Sequence, residues 1–368
     1  MNTADITSLS LNEKVGQLFF IGIAGDRIDS DTEKLLADIQ PGGVCLFSRN
    51  IRDARDTRTL LDEIRRLSSI EPFLSLDQEG GLVDRLRRLL TPMPAPGQIK
   101  TGVDSSRLAK IIAKVVRILG FNMNFAPVVD VITEQRVKFS NGLHSRAFGN
   151  SPQEVVDLAG EFLRVLQADG CMGCIKHFPG LGASEVDSHE ELPAVTVSAE
   201  EFEAVDIFPY KRLFQAGDIN AVMVAHAVYP RYNLQEADQN GKLLPSSLSF
   251  NIVTTLLRKE LGFEGLVLTD DLEMGAIVKN YGIGEASVLA ILAGEDMVSI
   301  CAGADAISEG HAAVTDAVNA GRISEERLNQ SLERIFAAKS KLQKPLSFSI
   351  DRLDTLSLEI TELNQSLN

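Results

Sequence analysis

Ionisable residues collect at the ends of apolar runs in this chain. Asp77-Gln-Glu-Gly-Gly81 follows Phe73–Leu76, Lys176-His177-Phe-Pro-Gly180 closes the run that begins at Gly173, His226 follows Ala221–Ala225, and Asp270-Asp271 follows Leu266–Thr269. One further loop, Gly180-Leu-Gly-Ala-Ser-Glu-Val-Asp187-Ser-His189, starts with small residues and sets a carboxylate two residues from an imidazole. That spacing lets the carboxylate orient the ring and raise its basicity. Cleaving a glycosidic bond needs the two functions these loops offer: a group that protonates the leaving oxygen, and one that attacks or stabilises the oxocarbenium-like carbon. Asp270, directly after Leu266-Val-Leu-Thr269, is held by its strand as a nucleophile aimed at a sugar carbon must be. Strand alternation sends Asp271 to the other side. Acid-assisted displacement needs neither metal nor redox group, so no cofactor is expected. Two other readings use the same residues. His177, Asp187, His189 and His226 could converge as metal ligands, or the chain could bind a sugar without catalysis, which the presence of Asp187, His189 and Asp270 argues against.

Residues at strand ends can meet only if the strands share one end of a sheet. Strand-like runs occur at Gly16–Ile23, Gly43–Phe47, Phe73–Leu76, Met123–Val129, Gly173–His177, Ala221–Ala225, Leu266–Thr269 and Met297–Cys301. Amphipathic stretches fill the gaps: Asp31–Ile39, Thr57–Leu67, Ser106–Leu119, Pro152–Ala168, Ala199–Ala216, Phe250–Leu261, Gly284–Ala293 and Ala306–Ala320. Alternation of this length predicts an α/β protein with a closed (β/α)8 TIM barrel. An open doubly wound sheet alternates too, but the dinucleotide fingerprint is incomplete: Gly180-Leu-Gly182 supplies part of it, and Glu185 stands where a third glycine belongs. Ser324–Leu342 predicts one more helix, Lys344-Pro345 a break, and Leu353, Leu356, Ile360, Leu363 and Leu367 share one face of a last helix. That face docks on its own barrel or in a dimer. The expected organisation is therefore a single-domain catalytic barrel over 1–343 with a short C-terminal helical tail over 344–368, as a monomer or homodimer.

Composition narrows the partners. Over 368 residues the formal charge is −15, which repels a polyanion and excludes nucleic acid as a natural partner. Asp5 and Glu13 precede the apolar run Val15–Ala24, unlike the basic start of a secretory signal, and that run predicts the first strand. No apolar stretch reaches the length of a membrane span. Cys45, Cys171, Cys174 and Cys301 are too few and too scattered for a disulfide framework, which fits a reducing cytoplasm. Cys171-Met-Gly-Cys174 has redox or zinc spacing, but it lies inside an apolar run without a second ligand pair, so buried thiols are expected.

Taken together, Lys176-His-Phe-Pro-Gly-Leu-Gly182, Asp187-Ser-His189, Asp77-Gln-Glu-Gly-Gly81 and Leu268-Thr-Asp-Asp-Leu272 resemble the motifs of bacterial β-N-acetylglucosaminidases of glycoside hydrolase family 3. Their order and spacing match over nearly the whole barrel. The resemblance implies that Asp270 forms a covalent glycosyl-enzyme, that His189 protonates the leaving group and that Asp187 orients it. Asp77, Arg85, Arg146 in Ser-Arg-Ala-Phe-Gly149, Lys176 and His177 resemble the residues that hold the sugar hydroxyls and the acetamido group, and His226 in Val-Ala-His226 matches a position near the sugar. His144 and His311 lack such context and are expected to be ordinary surface or helix residues. Where the family stretch usually carries a second histidine this chain has Leu181, which implies altered loop order or leaving-group preference. Related β-glucosidases take their acid/base from a second α/β domain. Only a short tail follows the eighth strand and its helices here, so the barrel itself is expected to supply that group. The implied substrate is a GlcNAc-containing oligosaccharide, from anhydro-muropeptides in cytoplasmic cell-wall recycling or from chitin. A neutral histidine does not repel an anionic acceptor as a glutamate would, so phosphate is expected to compete with water.

Overall fold

The computed structural model describes residue 6 and residues 8–138, 142–185 and 191–367. Eight parallel strands close into a barrel: β1 Phe19–Gly22, β2 Gly43–Cys45, β3 Phe73–Leu76, β4 Met123–Asn124, β5 Met172–Phe178, β6 Ala221–Val224, β7 Leu266–Asp271 and β8 Met297–Ile300. Each pairs with its sequence neighbour and β8 returns to β1, with Phe19 opposite Val298 and Phe20 opposite Gly43. A strand covered on both faces is apolar over most of its length, hence the continuous runs; all seven residues of β5 are buried, with Lys176 and His177 at its carboxyl-terminal end. Phe20 packs against Phe73 and Phe125 inside the barrel, with ring centroids 6.1 and 5.1 Å away. This is the expected (β/α)8 TIM barrel, with all four cysteines buried and free.

Four elements differ in kind or clearly in extent from the sequence-based expectation. The first strand starts at Phe19 rather than Gly16, because Ser10 and Glu13 form a reciprocal capping box that starts a short helix over Leu11–Gly16. Regular pairing of β4 stops after Asn124, since Pro127 has no N–H to give the ladder; the Val129 amide still donates to the Lys176 carbonyl at 2.7 Å. The helical stretches after β5 and β6 contain π-wound segments, Phe202–Asp206 and Asn251–Glu260.

The two barrel ends are treated differently. Gln17 precedes β1 and Asp296 precedes β8, so the helix Glu325–Lys339 covers the amino-terminal end of the barrel: Lys339 donates to Gln17 Oε1 at 2.7 Å and Arg334 to Asp296 Oδ1 at 3.1 Å. Asp296 also accepts from Arg258 at 2.6 Å and from the Val267 amide at 3.0 Å. The carboxyl-terminal end stays open. Helix Ile350–Leu367 buries Leu353, Leu356, Ile360 and Leu363 against its own barrel, chiefly against helix Gly102–Leu119. It also pins the loop after β3, with Ser357 Oγ accepting from the Thr91 amide at 2.9 Å and Asn364 donating to the Pro92 carbonyl at 3.0 Å. Among the described residues no helix is long and apolar enough to cross a membrane.

Candidate active site

The carboxyl ends of the strands enclose a cavity of about 350 Å³, lined among others by Asp77, Arg85, Arg146, Lys176, His177, Asp270 and Asp271. Seven of the positions that the sequence singled out therefore meet at this barrel mouth or directly behind it. After β3 the chain turns back at once in a two-stranded hairpin, Gln78–Gly80 with Val83–Asp84, which carries Asp77 at its start and Arg85 at its end. Gln78 holds that turn by donating to Asp84 Oδ1 at 2.8 Å and accepting from the Arg85 amide at 3.0 Å.

Charges on the cavity wall are paired in a chain. Lys176 Nζ donates to Asp77 Oδ1 and lies equally close to Glu79 Oε1, both at 2.6 Å. Arg146 grips the same Glu79 with two bonds of 2.8 and 3.0 Å, the bidentate geometry that makes guanidinium–carboxylate pairs strong. Burial opposes the charge on Glu79, yet the Lys176 ammonium and the Arg146 guanidinium overcome it and hold its carboxyl down at about 2. Burial likewise opposes the charge on Lys176, and Asp77 and Glu79 outweigh it, raising its pKa. Arg85 lies 3.6 Å from the other Asp77 oxygen.

The two histidines are oriented by different partners. His177 Nδ1 sits 2.7 Å from Asp130 Oδ2, an atom that only accepts, so Nδ1 carries the proton and Nε2 faces Arg146 Nη2 at 3.5 Å. Asp130 Oδ1 accepts from the Leu181 amide at 2.7 Å. His226 is fully buried and is not among the cavity-lining residues. Its Nε2 donates to the Asp271 carbonyl at 3.1 Å and its Nδ1 is hydrogen-bonded to the Ser247 hydroxyl at 2.7 Å, so it stands behind β7 as a support. Among the described residues no three His, Cys, Asp or Glu side chains form a metal-binding group; Asp187 and His189, the other two residues of the metal reading, are not among them.

At the end of β7 two neighbouring carboxyls are driven apart. Burial opposes the charge on Asp270, but the rings of His177 and His226, the Asp271 amide on its Oδ1 at 2.9 Å and the Lys176 ammonium together lower its pKa. Asp271 is pushed up to about 7 by burial, with the charges of Glu273 and Asp270 adding to it, against hydrogen bonds from the Glu273 and Cys301 amides. The expectation that Asp271 faces away is corrected here. Leu268 pairs with Met297 and Asp271 with Ser299, so β7 holds one extra residue, and this bulge breaks strict alternation and brings Asp271 onto the same cavity as Asp270. Two adjacent carboxyls whose pKa values are driven in opposite directions, with the lowered one on the cavity wall, are an arrangement that serves nucleophilic chemistry.

Asp187 and His189 lie outside the described residues. The segment leading to them is described as far as Glu185, and Leu181 and Ser184 line the cavity. Glu79 and Asp130 were missed in the sequence. Asp130 follows the apolar run Met123–Val129, so the rule that selected the other strand-end residues would have found it. Glu79 offered no such signal, because only the fold-back of the hairpin buries it between two cations. His144 is exposed and His311 lies buried in a helix, and neither lines this cavity.

Comparison with known proteins adds what geometry alone leaves open. Residues 10–338 match the family model for the glycosyl hydrolase family 3 N-terminal domain. A β-hexosaminidase of Pseudomonas aeruginosa is 35% identical over 288 residues, which is 76% of this chain and 81% of that protein. Among solved structures, a glycoside hydrolase family 3 β-N-acetylglucosaminidase from Paenibacillus sp. superposes with a TM-score of 0.87 at 33% identity, covering 97% of this chain and 69% of that one. A glycosyl hydrolase family 3 member from Mycobacterium smegmatis superposes with a TM-score of 0.80 at 29% identity, covering 91% of this chain and 98% of that one. With a strand-end carboxylate in a sugar-sized barrel cavity and likeness of this extent, the chain belongs to glycosyl hydrolase family 3 and is a glycoside hydrolase.

Proposed function

We propose that this enzyme is a retaining, exo-acting β-N-acetylglucosaminidase that removes terminal β-linked GlcNAc from peptidoglycan fragments in the cytoplasm. The observation that carries the reading is the ionised Asp270 on the wall of a cavity whose 350 Å³ lies near the small end of ligand sites, which suits one terminal sugar rather than a threaded chain. A carboxylate oxygen of Asp270 attacks the anomeric carbon while the glycosidic C–O bond breaks and the leaving oxygen takes a proton from His189, oriented by Asp187. Water then attacks the same carbon, His189 takes its proton, and the Asp270 ester bond breaks with release of GlcNAc. Asp77, Arg85, Arg146, Lys176 and His177 hold the hydroxyl and acetamido groups, and His226 supports β7 behind them. The β-hexosaminidase and β-N-acetylglucosaminidase names of the relatives support the choice of sugar.

The test is hydrolysis of a chromogenic β-N-acetylglucosaminide, with the matching glucoside as control. Wild type is expected to cleave the first far faster, and Asp270→Ala to lose roughly 10³-fold or more in kcat; a variant as fast as wild type removes Asp270 from the mechanism. The first-formed product is expected in the β configuration by NMR, and an α product overturns retention. A kcat/KM higher for a GlcNAc–anhydromuropeptide than for chitobiose supports the peptidoglycan assignment, and the reverse order replaces it with chitooligosaccharides.

A further inference from the structure

Behind the cavity wall lies an ion pair that the reaction does not use. Arg136 donates to both oxygens of Asp206, at 2.8 and 2.9 Å, and both side chains are almost wholly buried. Its other bonds reach Glu201 Oε1 at 2.9 Å and the Val131 carbonyl at 3.2 Å. Two of the groups it grips are the ones against which the turn after β5 packs. A Cβ added at Gly180 would lie 2.7 Å from Asp206 Cβ, and one added at Gly182 would lie 2.1 Å from the Val131 oxygen. Glycine is therefore required at both positions, and the backbone there rests directly on what Arg136 holds. Between them, the Leu181 amide donates to Asp130 Oδ1, while Asp130 Oδ2 fixes His177 Nδ1, each at 2.7 Å. Tyr229 closes the far side, its hydroxyl donating to the Gly180 carbonyl at 3.0 Å.

We propose that Arg136 is a positioning residue for the active site: by locking Asp206 and the Val131 carbonyl together it sets the Gly180–Ser184 turn and, through Leu181 and Asp130, the orientation of the His177 ring in the cavity. A guanidinium suits this task because its rigid planar fork grips both oxygens of one carboxylate in fixed directions, whereas an ammonium is a point charge on a flexible stem. Only the turnover part of the test rests on the β-N-acetylglucosaminidase reading.

Removing one partner of a buried pair strands a charge, whereas replacing both with apolar side chains of similar volume is often neutral for stability. The decisive variant is therefore Arg136→Met combined with Asp206→Leu, measured beside Arg136→Lys. The double variant is expected to melt within a few degrees of wild type, to lose roughly tenfold or more in kcat on the chromogenic β-N-acetylglucosaminide, and to lose or shift the downfield proton of His177 Nδ1 in ¹H NMR, assigned by its absence in His177→Asn. Arg136→Lys, which keeps the charge and one bond, is expected to fall between the two. A folded double variant with wild-type kcat and an unmoved His177 proton overturns the proposal. Should the double variant fail to fold, a fully active Arg136→Lys with an unmoved proton overturns it equally. A wild type inactive on the β-N-acetylglucosaminide sinks the functional reading instead, and the His177 resonance then decides the role of Arg136 by itself.

Discussion

At the scale of the residue, the site works by pairing charges so that one carboxylate is left charged and available. Glu79 pairs with two cations of the cavity wall, Lys176 and Arg146, and holds them in place, while Asp270 faces the space a substrate would fill. The carboxyl of Glu79 titrates near 2 against an ordinary 4.5. A carboxylate depressed in the folded state contributes stability that is present above its unfolded pKa and lost as pH falls toward its folded one. Glu79→Gln is therefore expected to cost about 3 kcal/mol at pH 7, with the difference from wild type shrinking as pH falls from about 4.5 toward 2. Denaturant titrations of both proteins across that range check this, and a pH-independent difference would remove the charge from the explanation.

Elements position these residues by irregularities more than by regular pairing. The β7 bulge adds a second carboxyl to the cavity, and the hairpin after β3 turns Glu79 inward. That hairpin continues into a loop tied by Thr91 and Pro92 to the last helix, so a helix distant in sequence braces the segment that carries Arg85. Ile360 lies at the centre of that helix's apolar face and is fully buried. Ile360→Ala is expected to cost about 2–5 kcal/mol, read as a lower denaturation midpoint with an unchanged slope. A change under 0.5 kcal/mol would mean that the helix contributes little to holding the barrel together.

For the molecule as a whole, one barrel end is sealed for stability and the other left open for chemistry. At the sealed end Asp296 accepts from Arg258, Arg334, Ser331 and the Val267 amide while fully buried. Asp296→Asn leaves the half-buried guanidiniums of Arg258 and Arg334 without their buried counter-charge and is expected to cost about 3 kcal/mol. Because the open end lies across the barrel, kcat well below the melting temperature is expected to stay within about twofold of wild type. A large loss of kcat in a folded variant would show that the two ends are coupled.

The sequence by itself determined the architecture and most of the chemical inventory. Apolar runs alternating with amphipathic stretches follow from the need to cover both faces of a parallel sheet, so eight strands and their order were legible, as were Asp77, Lys176, His177 and Asp270 at their ends; Arg85 and Arg146, in loops, were indicated only by the family resemblance. Tertiary structure alone decided which atoms face the substrate and in what charge state. Strict alternation sent Asp271 away, until an extra residue in β7 brought it back. Nothing in Asp77-Gln-Glu-Gly-Gly81 distinguishes a solvated glutamate from one clasped by Lys176 and Arg146. Nor does the spacing of Arg136, Gly180 and Asp206 disclose that they touch. Periodicity is written locally along the chain, whereas burial and ion pairing depend on groups that only folding makes neighbours.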